Sequence, residues 1–136
     1  MRRTSLAFAK LIFGGVLECY PRLKFLLAHG VGFMPYTWGR LVRDCRIQDS
    51  SRLKISRTPS EYMKLPYFDT ITHSPMALEY LMKRNFGANH VLLGSDYPYD
   101  MGDPEPLSSL RAIGIDTEQV TQIAGDNACK LLRIGI

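Results

Sequence analysis

With 136 residues, 46% of them hydrophobic, the chain has the length and apolar content of one packed domain, residues 1–136, and no apolar run long enough to cross a bilayer. Its net charge of +4 gathers in Arg40, Arg43, Arg46, Arg52, Lys54 and Arg57, without the interleaved aromatics or recognition motif of a nucleic-acid binder. Cys19, Cys45 and Cys129 are odd in number and include no Cys-x-x-Cys pair, which points away from a disulfide framework or a thiolate zinc site.

Met1-Arg2-Arg3 ahead of an apolar stretch imitates a secretion signal. No small-residue cleavage site follows and Glu18 closes the run, so a cytoplasmic protein is expected. Thr4 is the expected N-cap of a first helix, with Leu6, Phe8, Leu11, Ile12, Val16 and Leu17 at roughly helical spacing. Gly14-Gly15 falls inside that helix and implies close packing against a neighbour. Tyr20-Pro21 stops it, and the run Leu23-Lys24-Phe25-Leu26-Leu27-Ala28-His29-Gly30 reads as a first strand. Pro35 opens a helix through Trp38, Leu41 and Val42 to about Arg46. Residues 48–59 are polar and irregular, with a faint capping-box signal near Ser60.

Tyr67-Phe68-Asp69-Thr70-Ile71 is rich in aromatic and β-branched residues and reads as a second strand. Ser74-Pro75 caps the next helix, whose Leu78, Leu81 and Met82 form one stripe, and Gly87 ends it. His90 starts a third strand, in which Val91-Leu92-Leu93 lacks polar alternation and so is buried on both faces. A loop over 95–106 carries Pro98, Pro104 and Pro106. A helix from Glu105 to about Ile113 follows, Asp116-Thr117 caps another, and Asp126 caps the last, from Asn127 to Leu132.

Alternating strands and helices mean βαβ units, parallel strands and right-handed crossovers. Asp96 then sits at the C-terminal mouth of one buried strand and His29 at that of another, where α/β folds place their chemistry. An imidazole and a carboxylate at matching ends suit a general base or a metal site; a core histidine and a helix cap are the plainer alternative. Asp69 is open between a group standing behind such a site and an acceptor for backbone. Trp38 is open between rim packing and a stacking surface, Tyr97 and Tyr99 between lining a pocket and packing under their loop. Three parallel strands leave two bare edges, and a (β/α)8 barrel needs eight such units in about 250 residues. The chain reads as the closing part of such a barrel.

Several motifs in register carry a resemblance. Phe13-Gly14-Gly15-Val16-Leu17-Glu18, Tyr20-Pro21, the run from Leu23 to Gly30, Pro35-Tyr36 and Gly39-Arg40 come first. Tyr67-Phe68-Asp69-Thr70, Leu93-Gly94-Ser95-Asp96-Tyr97-Pro98 and Gly125-Asp126-Asn127-Ala128 continue in order. Together they resemble the C-terminal part of the amidohydrolase-related family, most of all its decarboxylases of the aminocarboxymuconate-semialdehyde type. The resemblance implies an α/β fold, the C-terminal portion of a metal-dependent (β/α)8 barrel with about three parallel strands. It implies a decarboxylase or hydrolase using a divalent metal, usually zinc, on a small carboxylated substrate. Asp96 matches the family's last metal ligand and His29 its proton-handling histidine. Arg40, eleven residues after His29, matches an arginine that reaches a substrate carboxylate across a dimer interface; Trp38 and Tyr99 lie near the implied mouth.

The departures are specific. The only histidines are His29, His73 and His90, so the family's His-x-His pair is absent. His90 precedes its strand and belongs to the wrong end of a barrel, and His73 reads as a loop residue. Val31 stands where the family usually has glycine, and Asp100 where proline is common. The expectation is a chain that binds metal weakly and alone turns over nothing, and that forms a homodimer or pairs with an N-terminal half. The alternative is a non-catalytic interaction or oligomerisation module. Neither nucleic acid nor membrane is an expected partner.

Overall fold

The computed structural model describes residues 2–47 and 54–135, so Gln48 and Arg52, both within the stretch expected to be irregular or basic, lie outside the described residues. Two compact units interleave along the chain: Met1–Phe25 with Val31–Pro66, and Leu26–Gly30 with Tyr67–Ile136.

The first unit is helical. Helix α1 spans Arg2–Phe13 and α2 spans Val16–Cys19. Ser5, Phe8 and Ile12 recur at helical spacing and are all buried. Thr4 therefore lies inside α1 and not at its cap, and the expected single helix is broken at Gly14-Gly15. The break follows from Gly15, whose φ of 74° is left-handed and ends the regular ladder. Close packing there is real: a Cβ on Gly15 would lie 2.5 Å from the Lys54 carbonyl oxygen. Helix α3 covers Met34–Ile47, matching the helix read from Pro35, and packs against α4, Pro59–Met63. The sequence signal for α4 lies at Thr58 and not Ser60: the Glu61 carboxylate accepts from the Thr58 backbone N–H and hydroxyl, each at 2.9 Å. Glu18 joins α2 to this segment, accepting from the Ser56 N–H at 2.8 Å and from the hydroxyls of Ser56 and Tyr62.

The second unit is a three-stranded parallel sheet with helices. Strands β1 (Leu26–Leu27), β2 (Tyr67–Asp69) and β3 (Val91–Leu92) lie in that order. Leu26 pairs with Tyr67 and Leu27 with Phe68; Phe68 pairs with Val91 and Asp69 with Leu92. All three strands are shorter than the apolar runs that announce them: β1 omits residues 23–25 ahead of it, and β2 and β3 stop at Asp69 and Leu92. Val91 and Leu92 are buried, as a strand without polar alternation should be.

Helix α5 runs from Pro75–Tyr80, with the Ser74 hydroxyl accepting from the Ala77 N–H at 3.3 Å. It continues as a π-helical stretch over Leu81–Phe86 that ends at Gly87. Leu78, Leu81 and Met82 are buried, and Phe86 packs on Phe68 with ring centroids 4.2 Å apart. Helices α6 (Pro106–Arg111), α7 (Thr117–Thr121) and α8 (Asn127–Leu132) complete the unit. Asp116 caps α7 by accepting from Gln119 at 2.7 Å. Asp126 does not cap α8: its backbone is helical, and a π-helical stretch over Gln122–Asp126 joins α7 to α8 without interruption.

Candidate functional site

Because β1, β2 and β3 are parallel, their C-terminal ends share one rim of the sheet. His29 follows β1 by two residues, Asp69 is the last residue of β2, and Asp96 lies four residues beyond β3. With β2 in the middle, Asp69 stands between the turns that carry the other two.

The turn after β1 is unusual. His29, Gly30, Val31 and Gly32 have φ of 59°, 53°, 65° and 66°, four left-handed residues in succession. Glycine visits this region freely, whereas each residue with a Cβ loses roughly 1–2 kcal/mol there. The Asp69 carboxylate opposes that cost. It accepts the backbone N–H of His29 at 2.9 Å, of Gly30 at 3.0 Å and of Ile71 at 3.1 Å. Of the two sequence readings for Asp69, the acceptor for backbone is the one observed.

Gly94 closes this arrangement from β3. Its N–H donates to the Thr70 hydroxyl at 3.1 Å, and a Cβ on Gly94 would lie 3.1 Å from the Asp69 Cβ. Asp96 is half-buried and itself left-handed, with φ of 59°. Its carbonyl accepts from the Tyr99 N–H at 3.0 Å, so Tyr99 is tied to Asp96 through one tight turn. Tyr97 and Tyr99 are 87% and 72% exposed, which removes the reading in which they pack under the loop.

The other expected substrate residues lie on α3, in the helical unit. Arg40 is exposed there, and the half-buried Trp38 donates its indole N–H to the Ser60 hydroxyl at 3.3 Å. His90 sits in a short turn ahead of β3, stacked on Tyr67 with centroids 5.2 Å apart, at the N-terminal side of the sheet as expected. His73 is an exposed loop residue that borders a cavity of about 250 Å³ with Thr70, Thr72, Ser74, Asp103 and Ser109. Sequence reasoning missed this cavity. His29, Asp96 and Tyr99 do not line it, and its carboxylate is already engaged: Asp103 accepts from the Glu105 N–H at 2.9 Å and the Ser109 hydroxyl at 2.6 Å.

Comparison with known proteins accounts for this arrangement. Residues 1–134 match the amidohydrolase family. The chain is 33% identical over 131 residues to a 2-amino-3-carboxymuconate-6-semialdehyde decarboxylase of Dictyostelium discoideum, covering 95% of this chain and 36% of that protein. It superposes on the crystal structure of 5-carboxyvanillate decarboxylase from Sphingomonas paucimobilis with a TM-score of 0.79 at 27% identity, over 93% of this chain and 38% of that one. A dihydroxybenzoic acid decarboxylase from Polaromonas sp. JS666, solved with bound manganese and 2-nitroresorcinol, gives a TM-score of 0.83 at 21% identity, over 96% of this chain and 40% of that one. The chain thus spans between 36% and 40% of the length of these three proteins.

A catalytic metal site needs about three protein ligands. Among the described residues no group of three His, Cys, Asp or Glu side chains is placed to hold a metal ion. The donors present do not by themselves fit a divalent metal. No helix among the described residues is long and apolar enough to cross a membrane. The parallel sheet, its neighbours in known structures and the match along residues 1–134 agree: the fold is a portion of a (β/α)8 barrel, and the chain belongs to the amidohydrolase family.

Proposed function

We propose that residues 1–136 form one partial barrel domain that contributes to a metal-dependent decarboxylase acting on a small carboxylated substrate. The observation that carries this reading is that His29 and Asp96 follow parallel strands at one C-terminal rim, the face on which (β/α)8 enzymes carry their chemistry. The 33% identity to a decarboxylase supports decarboxylation as the reaction. In this reading Asp96 is one donor to a divalent metal, zinc or manganese, whose other donors come from outside these residues. When CO2 leaves, the electron pair remains on carbon and must take up a proton; His29 is the group that hands it over. Arg40 grips a carboxylate with its planar fork, and Trp38 and Tyr99 border the substrate. The assembly is a homodimer or a pairing with a polypeptide that supplies the remaining barrel units, in the cytoplasm.

The test measures metal content and CO2 release from an aromatic carboxylic acid, for the purified chain alone and mixed with the preceding barrel units of a relative. The expected result is neither for the chain alone and both for the mixture; CO2 release alone is lost in His29→Gln, and both are lost in Asp96→Asn. Stoichiometric metal and turnover in the chain alone would overturn the shared site.

A second reading, a non-catalytic interaction or oligomerisation module, is favoured by the outer strand β1, whose Leu26 is 53% exposed beside an edge with no partner strand among the described residues. It predicts association in sedimentation experiments and no turnover in any mixture.

A further inference from the structure

We propose that Asp69 is the positioning residue for His29: its carboxylate, fixed between β1 and β3, holds the left-handed turn that presents the imidazole. This rests on the reading of His29 as the proton donor and adds a residue to it. Three N–H groups converge on one carboxylate, two of them from the turn and the third from the start of the next loop. A run of left-handed residues that includes His29 and Val31 persists only where its surroundings over-determine it. The Asp69 oxygens are that surrounding for its first half. Gly94 adds the second constraint, since any side chain there would press on the Asp69 Cβ at 3.1 Å and on the Ile71 Cγ1 at 3.4 Å. Gly94, two residues beyond β3 and two before Asp96, therefore limits where the carboxylate can sit, and the carboxylate sets the turn.

Aspartate is the side chain this role requires. Asparagine offers one acceptor oxygen in place of two and turns an N–H2 toward the donors. Glutamate keeps the charge but moves both oxygens outward by one methylene.

The experiment uses the full 136-residue chain and reads His29 directly. Amide hydrogen exchange is followed at His29 and Gly30, and diethyl pyrocarbonate modification is followed peptide by peptide between about pH 5 and 8, where imidazoles titrate. In Asp69→Asn, exchange at both amides is expected to rise about tenfold or more. The pH profile of His29 modification should move while those of His73 and His90 stay. Asp69→Glu should fail to restore either. An unchanged His29 profile in Asp69→Asn, or full restoration by Asp69→Glu, overturns the proposal. Should Asp69→Asn fail to fold, Gly94→Ala leaves the carboxylate in the chain but displaces it, and the same shift at His29 is expected; no shift overturns. In the active mixture Asp69→Asn should lower kcat about tenfold to a hundredfold with little change in KM. If His29→Gln leaves turnover intact, the catalytic reading fails while the exchange and modification results still decide the positioning.

Discussion

Asn127 donates one amide hydrogen to the Val91 carbonyl at 2.7 Å and the other to the Ala88 carbonyl at 2.8 Å, while its own side chain is 1% exposed. The first turn of α8 thereby binds β3 and the turn that enters it, and the Ile123 carbonyl adds a bond from the Leu93 N–H at 3.0 Å. The last helices of the chain hold the strand that leads to Asp96.

Asn127→Ala removes both donors: the Val91 carbonyl loses a buried partner, and the part-buried Ala88 carbonyl is left with the Val91 N–H alone. A loss of about 2–4 kcal/mol is expected. Urea denaturation checks it, and a loss below about 1 kcal/mol, the net worth of one ordinary hydrogen bond, contradicts this account of β3.

Two glycines should respond in opposite directions. Gly15 is left-handed at φ 74° and faces the Lys54 carbonyl, so Gly15→Ala incurs both backbone strain and a clash, together more than about 2 kcal/mol. Gly39 lies inside α3 with open space where a Cβ would stand, and Gly39→Ala should stabilise by about 0.5–1 kcal/mol. Thermal melting of the two variants separates them by sign.

Val31 and Val91 are both fully buried, yet Val31 has φ of 65° and Val91 an ordinary −105°. Replacing either by glycine forfeits about 1.5–3 kcal/mol of burial. Only at Val31 is left-handed strain of about 1–2 kcal/mol relieved in return. Val31→Gly should therefore cost less than Val91→Gly by about that amount in parallel denaturant titrations.

The hydroxyl of Ser56, then that of Tyr62, then the Ser56 N–H hold the Glu18 carboxyl at a pKa of about 2, below its ordinary 4.5. A carboxyl whose folded pKa is depressed contributes its stability in full above the unfolded value. That contribution should be lost as pH falls from about 4.5 to about 2. Glu18→Gln should flatten the pH dependence of the melting temperature in that window and leave it unaltered near neutrality. A mutant curve parallel to the parent's between those limits counts against the contact.

Legibility in the sequence followed the range of the interaction. Val91 and Leu92, the helix from Pro35, and the caps at Ser74 and Asp116 depend on neighbours within a few residues, and these were readable. The Thr58–Glu61 capping box is equally local, although the sequence signal points two residues later, to Ser60. Asp126 reads as a cap because an acidic residue before an apolar stripe looks alike whether a helix begins there or continues through it. Residue types and spacing brought His29 and Asp96 to one rim. What the sequence could not disclose is that Asp69 reaches His29 across 40 positions, or Tyr62 reaches Glu18 across 44. A carboxylate that serves backbone far along the chain carries no periodic signature.

Trp38 is the chain's one tryptophan, and it sits on α3 with its indole on Ser60. Its emission therefore reports the melting of the helical unit that carries it, while the sheet belongs to the other unit. Far-UV circular dichroism sees both. Superimposable transitions by the two probes would mark a single cooperative molecule, and a lag between them would time the loss of one half against the other.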